Sequence, residues 1–353
     1  MIERLYNSRL LCPGDIEPSQ SNLRVVGVFN PGAVECEDGV TLLVRVAEAS
    51  REKRLGKVAL PRWVPSAGRA VIDWLSESDI VVDDPRVVTI KATGLKRLTF
   101  ISHLAVVRCG EGRSVERIEP TRFMPAEQWE EFGVEDPRIT ALRNRFHFTY
   151  VAVSRHGAAT ALASTEDFRT FTRHGIIFPP ENKDVMMFPD KIEGRYLALH
   201  RPNPAQHFSP PEIWLASSPD LLCWGNHAPL LSGDGTREAG RIGAGAPPLR
   251  TTEGWLAIYH GNGPLPRGRH GVGRYSAGAV LLDRHDPRRI IGRCANVLVP
   301  QTSYERKGFV PDVVFPTGVV PRGETILVYY GAADECTGVV ELRLRDVLTA
   351  VAS

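Results

Sequence analysis

One phrase recurs along this chain, and it limits the possible folds more than any other feature. A proline follows a polar or small residue, an apolar stretch leads into a turn, and a β-rich run closes the unit. The phrase reads FNPGAVECEDGVTLLVRV at 29–46, EDPRITALRNRFHFTYVAVS at 135–154 and FPDKIEGRYLALHRP at 188–202. It returns as GAPPLRTTEGWLAIYHG at 245–261 and FPTGVVPRGETILVYYGAAD at 315–334, with a fainter copy, DPRVVTIKATGLKRLTFISH, at 84–103. The anchoring prolines Pro31, Pro85, Pro137, Pro189, Pro248 and Pro316 are spaced by 54, 52, 52, 59 and 68 residues.

A period in the fifties, with each copy opening on two strand-like runs around a Gly or Asn turn, is what one blade of a β-propeller requires. Further strand-like runs between copies, such as TALASTEDFRTFTRHG (160–175) and IWLASSPDLLCWGNH (213–227), supply the outer strands. Helix signals are few: PAEQWEEF (125–132) and the tail ELRLRDVLTAV (341–351). A doubly wound α/β fold needs a helix after almost every strand. The expectation is therefore an all-β chain, a single domain over residues 1–353 built as a β-propeller. A sixth repeat-like module around 50–110 is left open by the copy at Pro85.

The repeat register doubles as a map, because the innermost strands of a propeller converge on its axis. Arg45 lies fourteen residues after Pro31 and Tyr330 fourteen after Pro316; Arg201 and His260 lie twelve after Pro189 and Pro248. The phrase starts add Asn30, Asp136 and Thr317. All are expected to face one funnel.

Two groups there carry chemistry. The first is Glu135-Asp136-Pro137-Arg138, where partial burial of Asp136 would raise its pKa and suit it to general acid work. An Asp-Pro turn with an arginine ion pair accounts for the same residues, and Asp83-Asp84-Pro85-Arg86 nearly repeats them. The second group is cationic: Arg45, Lys183, Arg201 and His260, with Tyr275 nearby. Converging fixed donors make an oxyanion site, and arginine binds phosphate bidentately. Surface charge is the usual fate of a Lys or Arg, but Arg201 and His260 sit in apolar strands; Lys183 falls in what reads as a loop, PPENKDV. Trp214, Trp255, Tyr259 and His207 could stack on sugar rings, although core packing is the commoner role of such residues.

Composition excludes other classes. With 43 basic and 41 acidic residues the chain has a net charge of +2 and no footprint for a polyanion. At 42% hydrophobic it can bury a sizeable core, and no run approaches the roughly 18 apolar residues of a membrane span. The first twenty residues lack an apolar run, and the six cysteines lie far apart without a CxxC pair. A cytoplasmic protein with reduced thiols is expected. GxSxG, GxxxxGK[ST] and HExxH are absent, and GAGAPP (243–248) lacks the third glycine of a dinucleotide fingerprint. Neither a metal nor an organic cofactor is expected.

Taken together, FNPGAV with LLVRVAE, GVEDPRIT, NKDVMMFPDKIEGRYLALHRP, GAGAPPL with GWLAIYHG, RYSAGAVLLD, and VVFPTG with YYGAAD resemble the mannoside phosphorylases of glycoside hydrolase family 130. The motifs follow the family's order over about residues 25–345. The resemblance implies a five-bladed propeller that cleaves a β-mannoside with inorganic phosphate as co-substrate. Inversion at the anomeric carbon would yield α-mannose 1-phosphate. It also implies that Asp136 is the general acid, acting through a hydroxyl of the mannose. Arg45, Lys183, Arg201, His260 and Tyr275 match phosphate-binding positions, and Asn30 and Asp334 match residues that hold the mannosyl ring. By the same analogy the substrate is β-1,2-mannobiose or a short β-1,2-mannooligosaccharide.

One acid plus a cation cluster is what an inverting phosphorylase needs, since phosphate arrives already ionised. An inverting hydrolase needs a second carboxylate roughly 6.5–9.5 Å from the acid. Glu135, adjacent in a strand, is expected to point to the opposite face. A β-mannoside hydrolase on the same scaffold and a non-catalytic glycan-binding propeller remain as alternatives. The oligomeric state stays open, a homo-oligomer included.

Overall fold

The structure, a computed structural model, describes residues 2–203, 208–236, 238–263 and 273–353. It is almost entirely β. Strand β1 (Tyr6–Leu11) is followed by β2 (Leu23–Cys36) and β3 (Gly39–Ser50), the start of a first antiparallel sheet. Two small sheets then interrupt it: a hairpin of β4 (Lys57–Val64) and β5 (Arg69–Ser76), and a three-stranded sheet of β6 (Ile80–Asp84), β7 (Val87–Ile90) and β8 (Lys96–Leu98). The first sheet resumes with β9 (Ile101–Arg108), beside β3, and β10 (Arg117–Phe123).

Four regular sheets follow along the chain. The second holds β11 (Gly133–Leu142), β12 (Arg145–Ser154), β13 (Gly157–Thr165) and β14 (Thr172–Phe178). A single parallel bridge, Gly133 to Ser102, links it to the first sheet. The third holds β15 (Asn182–Met187), β16 (Tyr196–Pro202), β17 (Ile213–Ser218) and β18 (Gly225–Leu231). The fourth runs β19 (Arg241–Ala244), then past the short β20 (Leu249–Arg250) to β21 (Trp255–Asn262), β22 (Tyr275–Leu282) and β23 (Ile290–Leu298). The fifth holds β24 (Val314–Arg322), β25 (Thr325–Ala332) and β26 (Cys336–Arg343), and its outer strand is β1 from the other end of the chain.

The cores lie between these sheets. Leu43, Leu104 and Val106 of the first pack with Phe148, Tyr150 and Ala161 of the second. Leu162 and Phe178 meet Val185, Met187 and Ala198 of the third. Met186, Leu199 and Leu215 meet Ile242, Ala257 and Tyr259 of the fourth. Ile258, Ala277 and Ala279 meet Val328, Tyr330 and Val340 of the fifth. Tyr329 and Val339 then meet Val28, Val44 and Val46 of the first. Neighbours such as Met186 and Met187, or Tyr329 and Tyr330, enter different cores because successive side chains of a strand leave opposite faces. Burial on both faces explains why the inner strands read as continuous apolar runs rather than alternating ones.

The sequence map holds for most of its strands and slips elsewhere. The copy at Pro85 is an insertion between β3 and β9, with Pro85 in the β6–β7 turn, rather than a further four-stranded unit. Residues 125–132 form only a 3-10 turn at Gln128–Glu130; the buried Glu130 carboxylate accepts from Ala126 N at 2.7 Å and from Tyr150 Oη at 2.6 Å, and β11 starts at Gly133. The C-terminal helix α1 forms at Leu344–Ala352, after β26 has used residues 341–343.

Tyr330 departs from its expected place. In β2 the slip against β3 lies between Phe29 and Gly32, whereas in β24 it lies between Pro316 and Gly318 and is one residue shorter. Counting from the proline is therefore off by one, and a one-residue slip reverses the face of every side chain. Tyr330 points between the fourth and fifth sheets, with its hydroxyl on Glu305 at 2.7 Å. Replacing Tyr330 with Phe is expected to cost about 1–3 kcal/mol of stability, as a buried partner is lost, while leaving kcat and KM unchanged. Thermal melts beside steady-state kinetics check both halves.

Candidate active site

Three of the inner strands break register at matching points: β2 between Phe29 and Gly32, β11 between Glu135 and Arg138, and β15 between Lys183 and Met186. Each break contains a residue in the left-handed region: Asn30 (φ 52°), Asp136 (φ 51°) and Asp184 (φ 56°). Asn and Asp are the side-chain-bearing residues that enter this region most readily. A bulge of this kind re-aims a side chain. All three side chains leave the strand alternation and converge. Asn30, Asp136 and Asp184 line, with Asp334 (φ 51°) from the β25–β26 turn, one cavity of about 220 Å³.

Charge is the organising feature of this cavity. Its wall carries Arg45, Arg86, Lys183, Arg201 and Arg241 against Glu135, Asp136, Asp184 and Asp334. Arg45, 7% exposed, donates from Nη1 to Asp136 at 2.9 Å and from Nη2 to Glu135 at 2.6 Å, and its Nε bonds Ser102 at 3.2 Å. Its guanidinium lies 4.7 Å from the centre of the Phe29 ring and 5.5 Å from that of Phe100. Asn30 Nδ2 donates to Asp136 at 2.8 Å. Beneath, Arg138 donates to the Asp136 carbonyl at 2.8 Å and to the Asp184 carboxylate at 2.9 Å. The other Asp184 oxygen lies 3.1 Å from Arg201 Nη2 and 3.2 Å from His260 Nε2.

Two glycines make room for this. A Cβ on Gly331 would stand 1.8 Å from Asn30 Oδ1, and one on Gly243 would stand 2.3 Å from Asp184 and 2.5 Å from His260 Nε2.

The pairing sets the protonation states. Burial alone would raise the Asp136 pKa, but Arg45, Arg138 and the Asn30 bond outweigh it and hold the carboxyl below its ordinary value. That overturns the expectation of a raised Asp136. The carboxyl that is raised is Asp334, by burial and by Asp136, against the pull of Arg86 and Arg45. Asp184 is held well below the carboxylate range, since Arg201, His260 and Arg138 outweigh burial. Burial lowers His260, and Arg201 and Arg138 lower it further against Asp184, so its ring is neutral.

Of the residues singled out from sequence, Asn30, Arg45, Asp136, Lys183, Arg201, Tyr275 and Asp334 line the cavity. His260 is fully buried off the wall, its ring centre 4.0 Å from that of Phe315 and tilted against it, and it faces Asp184. Thr317 is also fully buried, donating to the Pro31 carbonyl at 2.9 Å. Lys183 belongs to β15, not to a loop. Glu135 shares the cavity with Asp136, against expectation, because the bulge cancels the alternation that would have separated them. Trp255 and Tyr259 belong to a core and Trp214 lies off the wall, while His207 lies outside the described residues.

The aromatic wall is instead Phe29, Phe100, Tyr275 and Phe315. Sequence reasoning passed over Arg86 and Arg241. Arg241 opens β19, the first strand of its sheet, as Lys183 lies on the first strand of its own, and that parallel was the available signal. Among the described residues neither Lys183 nor Arg241 has a carboxylate in ion-pair reach, and the Nε atoms of Arg201 and Arg241 are buried without partners. The uncompensated charge is positive and local. It can hold an anion beside a carboxylate.

Comparison with known proteins agrees with this chemistry. Residues 85–353 match the model of glycoside hydrolase family 130, described as β-1,4-mannooligosaccharide phosphorylase. The chain is 36% identical to a β-1,2-mannobiose phosphorylase of Listeria innocua, over 98% of this chain and 97% of that one. It is 34% identical to a 1,2-β-oligomannan phosphorylase of Thermoanaerobacter, over 70% of this chain and 81% of the relative. The solved Listeria innocua β-1,2-mannobiose phosphorylase in complex with β-1,2-mannobiose superposes with a TM-score of 0.91 at 34% identity, covering 98% and 99% of the two chains.

Removing the Asp184 charge leaves Arg138 and Arg201 buried and unpaired, so Asp184→Asn is expected to cost about 3–5 kcal/mol at pH 7. Because the folded-state pKa is depressed, the wild-type advantage is complete above the ordinary carboxylate range. It shrinks only as pH falls below that range toward the depressed value. Melting both proteins from pH 7 down to pH 3 tests this; a difference that disappears already at pH 5 would contradict it.

Proposed function

Because the chain belongs to glycoside hydrolase family 130, we propose that it is a glycosyltransferase-type phosphorylase that cleaves a β-mannoside with inorganic phosphate and inverts the anomeric carbon. The observation that carries this is the meeting, in one cavity, of the Asp136 carboxyl with a cation group that its own carboxylates do not balance. Lys183, Arg201 and Arg241 supply the site for phosphate, with Tyr275 on the same wall. Arg45 stands between that group and the sugar side, where Asn30 and Asp334 receive the mannosyl hydroxyls. His260 acts from behind, by orienting Asp184 and through it Arg201. Phosphate is the co-substrate, and no other cofactor enters.

In the reaction the bond from C1 to the leaving oxygen breaks and a bond from C1 to a phosphate oxygen forms on the opposite face. The leaving oxygen takes a proton from Asp136, relayed through a mannosyl hydroxyl, and the phosphate proton restores Asp136. Atoms and charge balance as mannoside plus hydrogen phosphate going to α-mannose 1-phosphate plus free sugar. Asp136 is ionised in the free protein. A phosphate anion bound beside Asp136 adds a like charge that opposes the hold of Arg45 and Arg138 and favours protonation of the carboxyl.

For the substrate, β-1,2-mannobiose or a short β-1,2-mannooligosaccharide is supported by the two relatives named for that linkage, one of them matched over nearly its whole length. Glu135 does not supply a hydrolytic base. Both carboxylates sit on one guanidinium, rather than facing each other across the gap that an inverting water needs.

The scaffold is proposed to be a five-bladed propeller formed as one catalytic domain over 1–353. Five sheets of four principal strands support it, with a core between each consecutive pair, as do the inner strands: β2 lies against β24 and β11, β11 against β15, and β15 against β19. No helix among the described residues is long and apolar enough to cross a membrane, and the enzyme is proposed to work in the cytoplasm.

The test runs in the synthetic direction, with α-mannose 1-phosphate and mannose, glucose or N-acetylglucosamine as acceptor. Phosphate release is expected with mannose, to fall about 10²–10⁴-fold in Asp136→Asn. In phosphorolysis, Arg201→Ala is expected to raise the KM for phosphate. The basic limb of kcat is expected at higher pH than that of kcat/KM, because the acid is ionised in the free enzyme and protonated in the complex. Cleavage of a β-mannoside that ignores phosphate would mean a hydrolase. Sugar binding without turnover, unchanged in Asp136→Asn, would mean a binding module.

A further inference from the structure

The tetrapeptide Asp83-Asp84-Pro85-Arg86 nearly copies the Glu135–Arg138 sequence, yet it lies in the inserted three-stranded sheet, at the turn from β6 to β7. That turn is braced. Asp84 accepts from the Arg86 backbone N–H at 2.7 Å, from its Nε at 3.3 Å and from its Nη2 at 3.1 Å. Thr99 donates from its hydroxyl to the Pro85 carbonyl at 2.8 Å and from its backbone N–H to the Arg86 carbonyl at 2.9 Å. The guanidinium, fixed on one edge, extends Nη1 to Asp334 at 3.1 Å, 248 positions away in the chain.

Asp334 depends on that contact. Ala333 and Asp334 both have left-handed backbone (φ 50° and 51°), so no regular strand sets the direction of its side chain. Arg45, the other cation near it, is already bonded to Glu135 and Asp136. Arg86 is thus the one ion-pair partner of Asp334 among the described residues. With one oxygen held by Arg86, the other is left to accept hydrogen bonds from a ligand. Val87 and Leu98 of the insertion, with Phe100 just beyond it, wall the same cavity.

We propose that Arg86 is a positioning residue of the glycosyl subsite: carried by the insertion between β3 and β9, it holds the Asp334 carboxylate in the orientation that receives the sugar hydroxyls. This rests on the proposed function, which puts the sugar at Asp334. Arg86 does not touch the phosphate group of cations, so its loss acts on one substrate only.

Steady-state phosphorolysis of β-1,2-mannobiose is measured with both substrates varied, for wild type and for Arg86→Gln, Arg86→Lys and Asp84→Asn. Arg86→Gln is expected to raise the disaccharide KM about tenfold or more, with the phosphate KM within about twofold of wild type. Arg86→Lys, which keeps the charge, recovers most of the loss; Asp84→Asn, which keeps Arg86 but frees it, falls between. An unchanged disaccharide KM in Arg86→Gln, or an equal rise in both KM values, overturns the assignment. If Arg86→Gln melts far below wild type, Asp84→Asn decides by the same criterion. Should the wild type show no phosphate-dependent turnover, the phosphorylase reading fails by itself. Calorimetric binding of β-1,2-mannobiose to wild type and Arg86→Gln then tests Arg86 separately, equal affinities counting against it.

Discussion

A buried charge survives only beside its opposite, and this protein sets nine buried or half-buried charges around one cavity. They alternate in sign along a continuous path: Asp84, Arg86, Asp334, then Arg45 with Asp136 and Glu135, then Arg138, Asp184 and Arg201. Successive members come from different parts of the chain, Arg45 from the first sheet, Asp136 and Arg138 from the second, Asp184 and Arg201 from the third. Unpaired, each would carry a desolvation penalty of several kcal/mol. The sheets therefore have to meet for the charges to be tolerated, and the cores between the sheets supply the hydrophobic free energy for meeting. Binding capacity is what remains when the pairing ends: among the described residues Lys183 and Arg241 have no ion-pair partner, and an anion would complete the set.

The same few residues are placed by backbone irregularity rather than by regular strand geometry. A strand that obeyed strict alternation could send either Glu135 or Asp136 to the cavity, not both. The bulge sends both, and matching bulges do so for Asn30 and Asp184. The left-handed conformation costs little for Asn or Asp, and each is secured by bonds that a regular strand could not offer. Such sites are built where a backbone rule is broken and the cost is offset by neighbours.

This division explains what could be read from the sequence. Strand content and the recurring unit were legible, because the period is carried by turns and apolar runs that depend only on local chemistry. Arg45 and Arg201 were legible because charge in an apolar strand is anomalous. Tyr330 was misplaced since a bulge one residue shorter in β24 than in β2 leaves no trace in composition. Asp184, the most heavily shared carboxylate, looked like part of a loop because its strand is short and opens on the polar run ENKD. Arg86 was hidden for a different reason: its partner lies 248 residues away, and no local pattern encodes a contact across an insertion. The direction of the Asp136 pKa was missed because burial was visible in the sequence while the guanidinium against it was not.

That last point bears on why such a site would favour phosphate over water. A general acid that is already ionised in the free protein cannot protonate a leaving group, and a sugar alone, being neutral, does little to change that. Phosphate does two things at once. On the proposed mechanism it occupies the position from which the nucleophile attacks, and its charge opposes the guanidinium groups that keep Asp136 ionised. Water can do the first but not the second. The proposed acid, Asp136, would thereby be competent only when the intended nucleophile is present. A hydrolase built on the same scaffold would have to loosen Arg45 from Asp136 and separate Glu135 from it, since here one guanidinium holds both.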